Sequence, residues 1–138
     1  IDERRGPFRP TLYEQGDWPG TLHQAWFAGV HTDVGGGYDY DDYANYALRW
    51  VLDHAATHGL ALDQDYLKAF WHDRLPERPI HDSMSAMYRV TPAYERPIGQ
   101  AAGGHETVHE SALALVRQDR SSYQPPNLLR WIKSSGRG

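Results

Sequence analysis

The chain has 138 residues, the size of one ordinary domain, and 40% of them are apolar, which is enough to build a folded core. Its formal net charge of −4 argues against the broad basic face that nonspecific nucleic-acid binding needs, so nucleic acid is not an expected partner. The lack of cysteine excludes a disulfide scaffold, a thiolate metal site and a cysteine nucleophile, and no apolar run approaches the roughly 20 residues of a transmembrane helix.

The first part of the chain predicts a loop, a strand and a glycine-rich turn. Prolines and glycines recur in residues 1–20 and favour an extended, loop-rich segment. Residues 24–30 end in a compact apolar run and predict a strand that is buried on both faces near its end. Three consecutive glycines follow in HTDVGGGY, residues 31–38, and predict a turn, because neither a strand nor a helix favours such a run.

A helix is predicted over residues 43–58. Asp41 or Asp42 can cap its start, and Gly59 is a typical residue just after a helix end. The apolar residues recur with helical spacing and predict one buried stripe. The stripe consists of Ala44, Ala47, Leu48, Val51 and Ala55, widened by Trp50 and Leu52.

The second half of the chain has weaker patterns. Helices are predicted over residues 65–74 and 110–119, and residues 75–100 are predicted to be loop with a short helix or strand near 83–90. The tail, residues 121–138, is predicted to run over the surface. A single strand cannot form a stable sheet, so the chain is interpreted as part of a larger sheet-containing unit.

His31 is the first candidate for chemistry. It follows the predicted strand and precedes the glycines, and in open α/β sheets catalytic groups gather beyond the carboxyl ends of the strands. An imidazole at this place can act as a general base near neutral pH. The residue pattern also fits a histidine that merely bonds to the loop backbone, and it does not decide between the two interpretations.

Two other kinds of site have weaker support. A phosphate could bind between a strand and a helix, but the glycines lack the spacing of a dinucleotide or P-loop motif, and nearby aspartates would repel it. Metal ligands could come from His31, Asp33, His81 and Asp82, although no diagnostic metal motif is present.

A serine nucleophile is not evident in this chain. Nucleophile elbows typically read Gly-x-Ser-x-Gly, and that pattern does not occur. Ser83 and Ser111 each follow a His-acid pair, but triads are assembled in space rather than by adjacency. We therefore expect Asp82, Ser83 and Ser111 to cap short helices.

Stretches along most of the chain resemble one bacterial and fungal family, the type VI secretion phospholipase-effector-like catalytic domain. The stretch at residues 31–38 is the most specific of them. The stretches are DERRGPF (2–8), QAWFAGVHTDVGGGY (24–38), YALRWVLDHA (46–55), GLALD (59–63), IHDS (80–83), VHES (108–111) and YQPPNL (123–128).

The resemblance implies an α/β fold class: the C-terminal part of an α/β-hydrolase-like three-layer fold, with few strands, flanking helices and long loops. It also implies a Ser-Asp-His triad that cleaves esters of glycerophospholipids, with His31 as its histidine. In the family the serine, in a Gly-Phe-Ser-Arg-Gly elbow, and the aspartate precede the DERR stretch, so we expect neither here. Residues 1–138 are thus interpreted as a partial catalytic domain that contributes the histidine of a serine-type phospholipase and is inactive alone.

Further site residues are predicted around His31. We expect Asp33 to organise the supporting loop rather than join the triad, and Arg4 and Arg5 to pair with acids or brace the site. The other loop residues are Gly35, Gly36, Gly37 and Tyr38, and the secondary candidates are His81, Asp82 and Ser83.

The expected partners are a phospholipid or other ester substrate and the N-terminal part of the catalytic domain, and no cofactor or metal is predicted. Trp18, Trp26 and Trp131 could touch a membrane surface if they are exposed. The location is left open between the producing cell and a target cell reached by secretion. Two alternatives stay open: a non-catalytic binding or scaffolding remnant, and a metal-dependent hydrolase that uses His31 and Asp33.

Overall fold

A computed structural model describes residues 1–17, 19–40, 42–71, 74–85, 87–101, 103, 105–118 and 122–136. The described elements are two short strands, five α-helices and two 3₁₀ turns. In chain order they are a 3₁₀ turn at Gly6–Phe8, β1 (Gln24–Trp26), α1 (His31–Gly35), α2 (Asp42–Thr57), α3 (Gln64–Phe70), a 3₁₀ turn at Tyr88–Val90, β2 (Glu106–Val108), α4 (Glu110–Arg117) and α5 (Pro126–Ser135).

The sheet of the described residues consists of β1 and β2 in parallel, with Ala25 opposite Thr107. The N-terminal residues run beside the chain that leaves β1, because the Ile1 amine donates to the Phe27 carbonyl at 2.8 Å and the Asp2 N–H donates to the Gly29 carbonyl at 3.1 Å. This pairing places the DERR stretch next to the start of α1.

The core lies where β1 and β2 meet the two C-terminal helices. Trp26 and Val108 from the strands pack with Ala112 and Leu113 of α4 and with Leu128 of α5. These side chains are all buried, and Ala112 and Leu128 are 0% exposed. The structure is therefore mixed α/β, as predicted, with a parallel strand pair.

The prediction of a surface-running tail was wrong. Residues 126–135 form α5, and its Leu128 is fully buried. Local signals were present: Pro126 stands in the first turn, and Gly136 ends the helix with φ 66°. Pro125 and Pro126 led to the prediction of a loop, although proline is well tolerated at a helix start.

The glycine run and the α2 stripe also differ from expectation. Gly35 is the last residue of α1, so the turn is confined to Gly36 and Gly37, whose φ values are 84° and 115°. Helix α2 is confirmed within one residue at each end, but Leu48 and Val51 of its predicted buried stripe are each 53% exposed.

The remaining elements follow the prediction in part. The predicted strand is shorter, β2 was not predicted, and α3 and α4 begin within one residue of the expected positions. Between 75 and 100 the described residues contain only the 3₁₀ turn. Asp41, a predicted cap, and parts of the predicted helix ends, residues 72, 73 and 119, lie outside the described residues.

Replacing Leu128 with alanine is expected to destabilise the fold by about 2–5 kcal/mol, because a cavity would replace a fully buried side chain. Urea unfolding followed by far-UV circular dichroism measures the loss. Leu48→Ala on exposed α2 is the matched control, with a change within about 0.5 kcal/mol. Equal losses in the two variants would contradict the burial of α5.

Candidate active site

His31 is the first residue of α1, and the local sequence explains why the helix begins there. Val30 is the residue before the helix and is 1% exposed, which anchors the turn to the core. The Asp33 carboxylate accepts a hydrogen bond from the Val30 N–H at 3.0 Å and so satisfies a backbone donor at the helix start. The imidazole of His31 therefore projects from a fixed backbone just beyond β1.

A buried carboxylate holds one nitrogen of His31. Oε2 of Glu3 lies 2.7 Å from Nδ1 of His31, and the Glu3 side chain is only 3% exposed. Arg5 donates two hydrogen bonds to the same carboxylate, from Nε to Oε1 at 2.9 Å and from Nη2 to Oε2 at 2.8 Å. Burial raises the pKa of Glu3, but hydrogen bonds from Arg5, His31 and Ser83 outweigh burial and hold the pKa far below its ordinary range.

The carboxylate contact favours one tautomer of His31. Nη2 of Arg5 also lies 2.8 Å from Nδ1, and its bond to Oε2 of Glu3 uses one of the two N–H groups that it carries. A bare lone pair on Nδ1 would face the ionised carboxylate, so the favourable arrangement has Nδ1–H donating to Glu3. Nε2 is then the acceptor, and the Thr32 hydroxyl lies 3.0 Å from it.

The ring of His31 is also held by packing. Phe8 lies against it with ring centroids 4.6 Å apart, and the Arg5 guanidinium stands 3.9 Å over the Phe8 ring. The other side is open, because the His31 side chain is 45% exposed. The result is an oriented imidazole on a side chain that is nearly half exposed.

Asp33 and His81 form a second carboxylate–imidazole pair. Asp33 Oδ1 is 2.6 Å from Nδ1 of His81, and the Asp33 side chain is 2% exposed. The ring of Tyr38 stacks on His81 with centroids 3.7 Å apart. Asp33 therefore orients His81. The metal-dependent alternative would instead need Asp33 to share a ligand site with His31.

The secondary candidates meet at the same place. Arg4 pairs with Asp82 at 2.8 Å, and the Arg4 N–H donates to the Ser83 hydroxyl at 3.2 Å. Segments 3–5, 31–33 and 81–83 are thus joined by side-chain bonds. Asp82 accepts from the Met84 N–H at 3.0 Å, which lowers its pKa together with the Arg4 bond.

Residues 1–54 match the model of the type VI secretion system (T6SS) phospholipase effector Tle1-like catalytic domain. This confirms the resemblance over the stretch that holds Glu3, Arg5, His31 and Asp33. The Tle1-like match ends before His81, so the later stretches that resembled the family lie beyond it. No curated protein and no solved structure matches the chain significantly.

A metal-dependent hydrolase would need several ligand side chains gathered at one place. Among the described residues no group of three or more His, Asp or Glu side chains could hold a metal ion. His31 and Asp33 are directed to different partners, Glu3 and His81. The predicted metal-dependent alternative therefore gains no support from the geometry.

Ser111 bonds to a different histidine, His109. Its hydroxyl is 2.8 Å from Nδ1 of His109, the residue that caps the start of α4 through the Ser111 N–H. Burial lowers the pKa of His109. The prediction that Ser111 caps a helix was wrong, because the cap of α4 is His109. Asp82 and Ser83 do not cap a helix either, since no described element begins beside them.

The structure describes two of the three tryptophans that could touch a membrane surface. Trp26 is 8% exposed and lies in the core, which contradicts its expected contact with lipid. Trp131 is partly buried against the same core, and Trp18 lies outside the described residues. Within the described ranges, none of the helices has the length and apolar character needed to cross a bilayer.

Sequence reasoning missed Glu3 and Arg96. Glu3 stands inside the DERR stretch that carried the resemblance, so an acid followed by two arginines was a usable signal. Arg96 is 6% exposed and donates from Nε to the Glu3 carbonyl at 2.9 Å and from Nη2 to the Phe8 carbonyl. Burial lowers the Arg96 pKa, and no local motif indicated this role. Arg96 fixes the backbone on both sides of the Glu3–Arg5 pair.

Proposed function

We propose that the chain contributes the catalytic histidine of a serine-type carboxylic ester hydrolase, a lipase or phospholipase. His31 is the general base. The observation that carries the proposal is the 2.7 Å contact between His31 Nδ1 and the buried Glu3 carboxylate, in a histidine whose side chain is 45% exposed. An acid behind Nδ1 and an acceptor at Nε2 are what a triad histidine requires.

The reaction follows from this geometry. A serine hydroxyl takes the place of the Thr32 hydroxyl at Nε2 and transfers its proton there as its oxygen attacks the ester carbonyl. The imidazolium, paired with Glu3, then protonates the alkoxide that leaves. Water deacylates the serine ester in a second round, with His31 again taking and returning one proton.

The serine belongs to polypeptide outside this chain in our proposal. The two-stranded sheet is small for a stable α/β domain, and Leu48 and Val51 leave an apolar face open on α2. Both features support residues 1–138 as part of an α/β-hydrolase-like catalytic domain. The N-terminal part of that domain is the proposed partner.

The substrate follows from the family match. A phospholipase effector catalytic domain matches residues 1–54, which supports a phospholipid as the substrate and delivery by secretion as the route. We infer that the intact domain degrades lipids of a target cell.

Reconstitution tests the proposal. Mixing this chain with the N-terminal part of a Tle1-like catalytic domain, or fusing the two, is expected to produce hydrolysis of a fluorescent phospholipid that neither part gives alone. An N-terminal part with its elbow serine replaced by alanine is the control. A stable complex without hydrolysis would contradict the enzyme and favour the scaffolding alternative.

A further inference from the structure

Arg96 is a buried cation whose guanidinium bonds to two backbone carbonyls. The residue is 6% exposed, and within the described part of the chain it forms no ion pair with a carboxylate. Burying a charge is costly unless an opposite charge and hydrogen bonds compensate for it. A buried guanidinium that is held by carbonyls alone therefore calls for an explanation, and the identity of the two carbonyls supplies it.

The two carbonyls belong to Glu3 and Phe8, which hold the His31 ring at its edge and at its face. Nε of Arg96 donates to the Glu3 carbonyl at 2.9 Å, and Nη2 donates to the Phe8 carbonyl. The Glu3 carboxylate lies 2.7 Å from Nδ1 of His31, and the ring centroids of Phe8 and His31 are 4.6 Å apart. One guanidinium thus binds the backbone of both residues that hold the imidazole.

The planar shape of the guanidinium fixes the spacing of the two carbonyls. Its N–H groups form a rigid fork, so the bonds from Nε and Nη2 hold the Glu3 and Phe8 backbones at a set separation. Arg5, which lies between these residues in sequence, bonds to the Glu3 carboxylate and stands over the Phe8 ring. Arg5 therefore fixes the side chains of the segment, and Arg96 fixes its backbone.

Two neighbours of Arg96 support the same segment. Asn127, at the start of α5, is 7% exposed, and its Nδ2 donates to the carbonyls of Arg96 and Ile1, each at 3.3 Å. The Tyr94 N–H donates to the Arg4 carbonyl at 2.7 Å. The carbonyls of residues 1, 3, 4 and 8 are therefore all bound by donors from the last third of the chain.

We propose that Arg96 is a positioning residue for His31, which keeps Nδ1 of the imidazole on the Glu3 carboxylate by fixing the Glu3 and Phe8 backbones. Arg96 lies outside residues 1–54, the stretch that matches the family model. The positioning rests on contacts within this chain alone, whereas its benefit to catalysis rests on the proposed function. The first measurement is therefore made on the chain without any partner.

The tautomer of His31 reports the contact with Glu3 directly. In the full chain, at a pH where the ring is neutral, the NMR shifts of the ring nitrogens give the ratio of the Nδ1–H to the Nε2–H form. Arg96→Met keeps the length of the side chain but has no N–H donor, so this ratio should fall by about tenfold. The ratio at His81, whose Nδ1 is bound by Asp33, is the internal control and should stay unchanged.

Chemical rescue separates the role of the donors from that of packing. Arg96→Ala leaves a space for a guanidinium ion, and guanidinium added far below the concentration that unfolds the chain should restore the His31 ratio. Sodium ions at the same ionic strength should not restore it, because they donate no hydrogen bond. Arg130→Ala is the matched control, since Arg130 is exposed and pairs with Glu95, and it should leave both histidines unchanged.

The outcomes separate this inference from the proposed function. An unchanged His31 ratio in Arg96→Met would overturn the positioning role, and so would an equal change at His81, which would indicate a general loss of structure. In the reconstituted enzyme Arg96→Met should lower kcat by about 10²-fold with little change in KM, because it misplaces the base. A His31 ratio that responds to Arg96 when reconstitution gives no hydrolysis would support the positioning and contradict the proposed function.

Discussion

In the reconstituted enzyme, replacing His31 with glutamine is expected to lower kcat/KM by about 10⁴-fold or more. Glutamine keeps a polar side chain but cannot take up and return a proton. The affinity of the two parts is measured alongside, because His31 packs against Phe8 and its Nε2 meets the serine of the other part in the proposed enzyme. Initial rates with a fluorescent phospholipid measure the loss.

Glu3→Gln extends the same test to the carboxylate. An amide in place of the acid can donate toward Nδ1 and stabilise the wrong tautomer, so we expect a loss of about 10³-fold in kcat. Arg5 would lose its ionic partner, and thermal unfolding of each variant therefore accompanies the kinetics. His58→Gln, just after the end of α2, serves as the control and should keep full activity.

The two variants, His31→Gln and Glu3→Gln, distinguish two candidates for the triad acid. The resemblance implies an aspartate outside this chain as the triad acid, whereas the geometry places Glu3 on Nδ1. Activity that survives Glu3→Gln but not His31→Gln assigns the triad acid to that aspartate. Activity that survives His31→Gln contradicts the general base itself.

Features with local causes could be predicted from the sequence. Helix α2 has an acidic first turn, a helical apolar repeat and a glycine after its end, and its limits were predicted within one residue. His31 was singled out as a candidate because it stands after a predicted strand and before glycines, a local pattern of residues 24–38. The same stretch carried the resemblance, and the family model matches residues 1–54.

Features that depend on distant pairing could not be predicted. β2 has three residues and no strong alternation, and it exists because Glu106 pairs opposite Gln24. Glu3 meets His31 only because the N-terminal residues align beside the end of β1. The buried face of α2 likewise depends on its neighbours, and helical spacing alone placed Leu48 on the wrong side.

Gly29→Ala is expected to be the most destabilising single-methyl change in this region, at about 2–6 kcal/mol from backbone strain and overpacking together. Gly29 has φ 113°, and a Cβ there would lie 2.5 Å from the Cβ of Asp33. Both atoms sit next to backbone, so neither can rotate away. Asp33 would have to move, and its bonds to Val30 and His81 would weaken.

Gly35→Ala is the matched control, although it lies in the most glycine-rich part of the motif. A Cβ at Gly35 meets no atom within 4 Å, and the residue is the last of α1. We expect it to be neutral or to stabilise the fold by roughly 0.5–1 kcal/mol, because alanine favours a helix. Urea unfolding and the His81 NMR signals report both variants. Similar changes in stability for the two variants would contradict a close contact between Gly29 and Asp33. They would also mean that this contact does not fix the position of α1 against the DERR stretch.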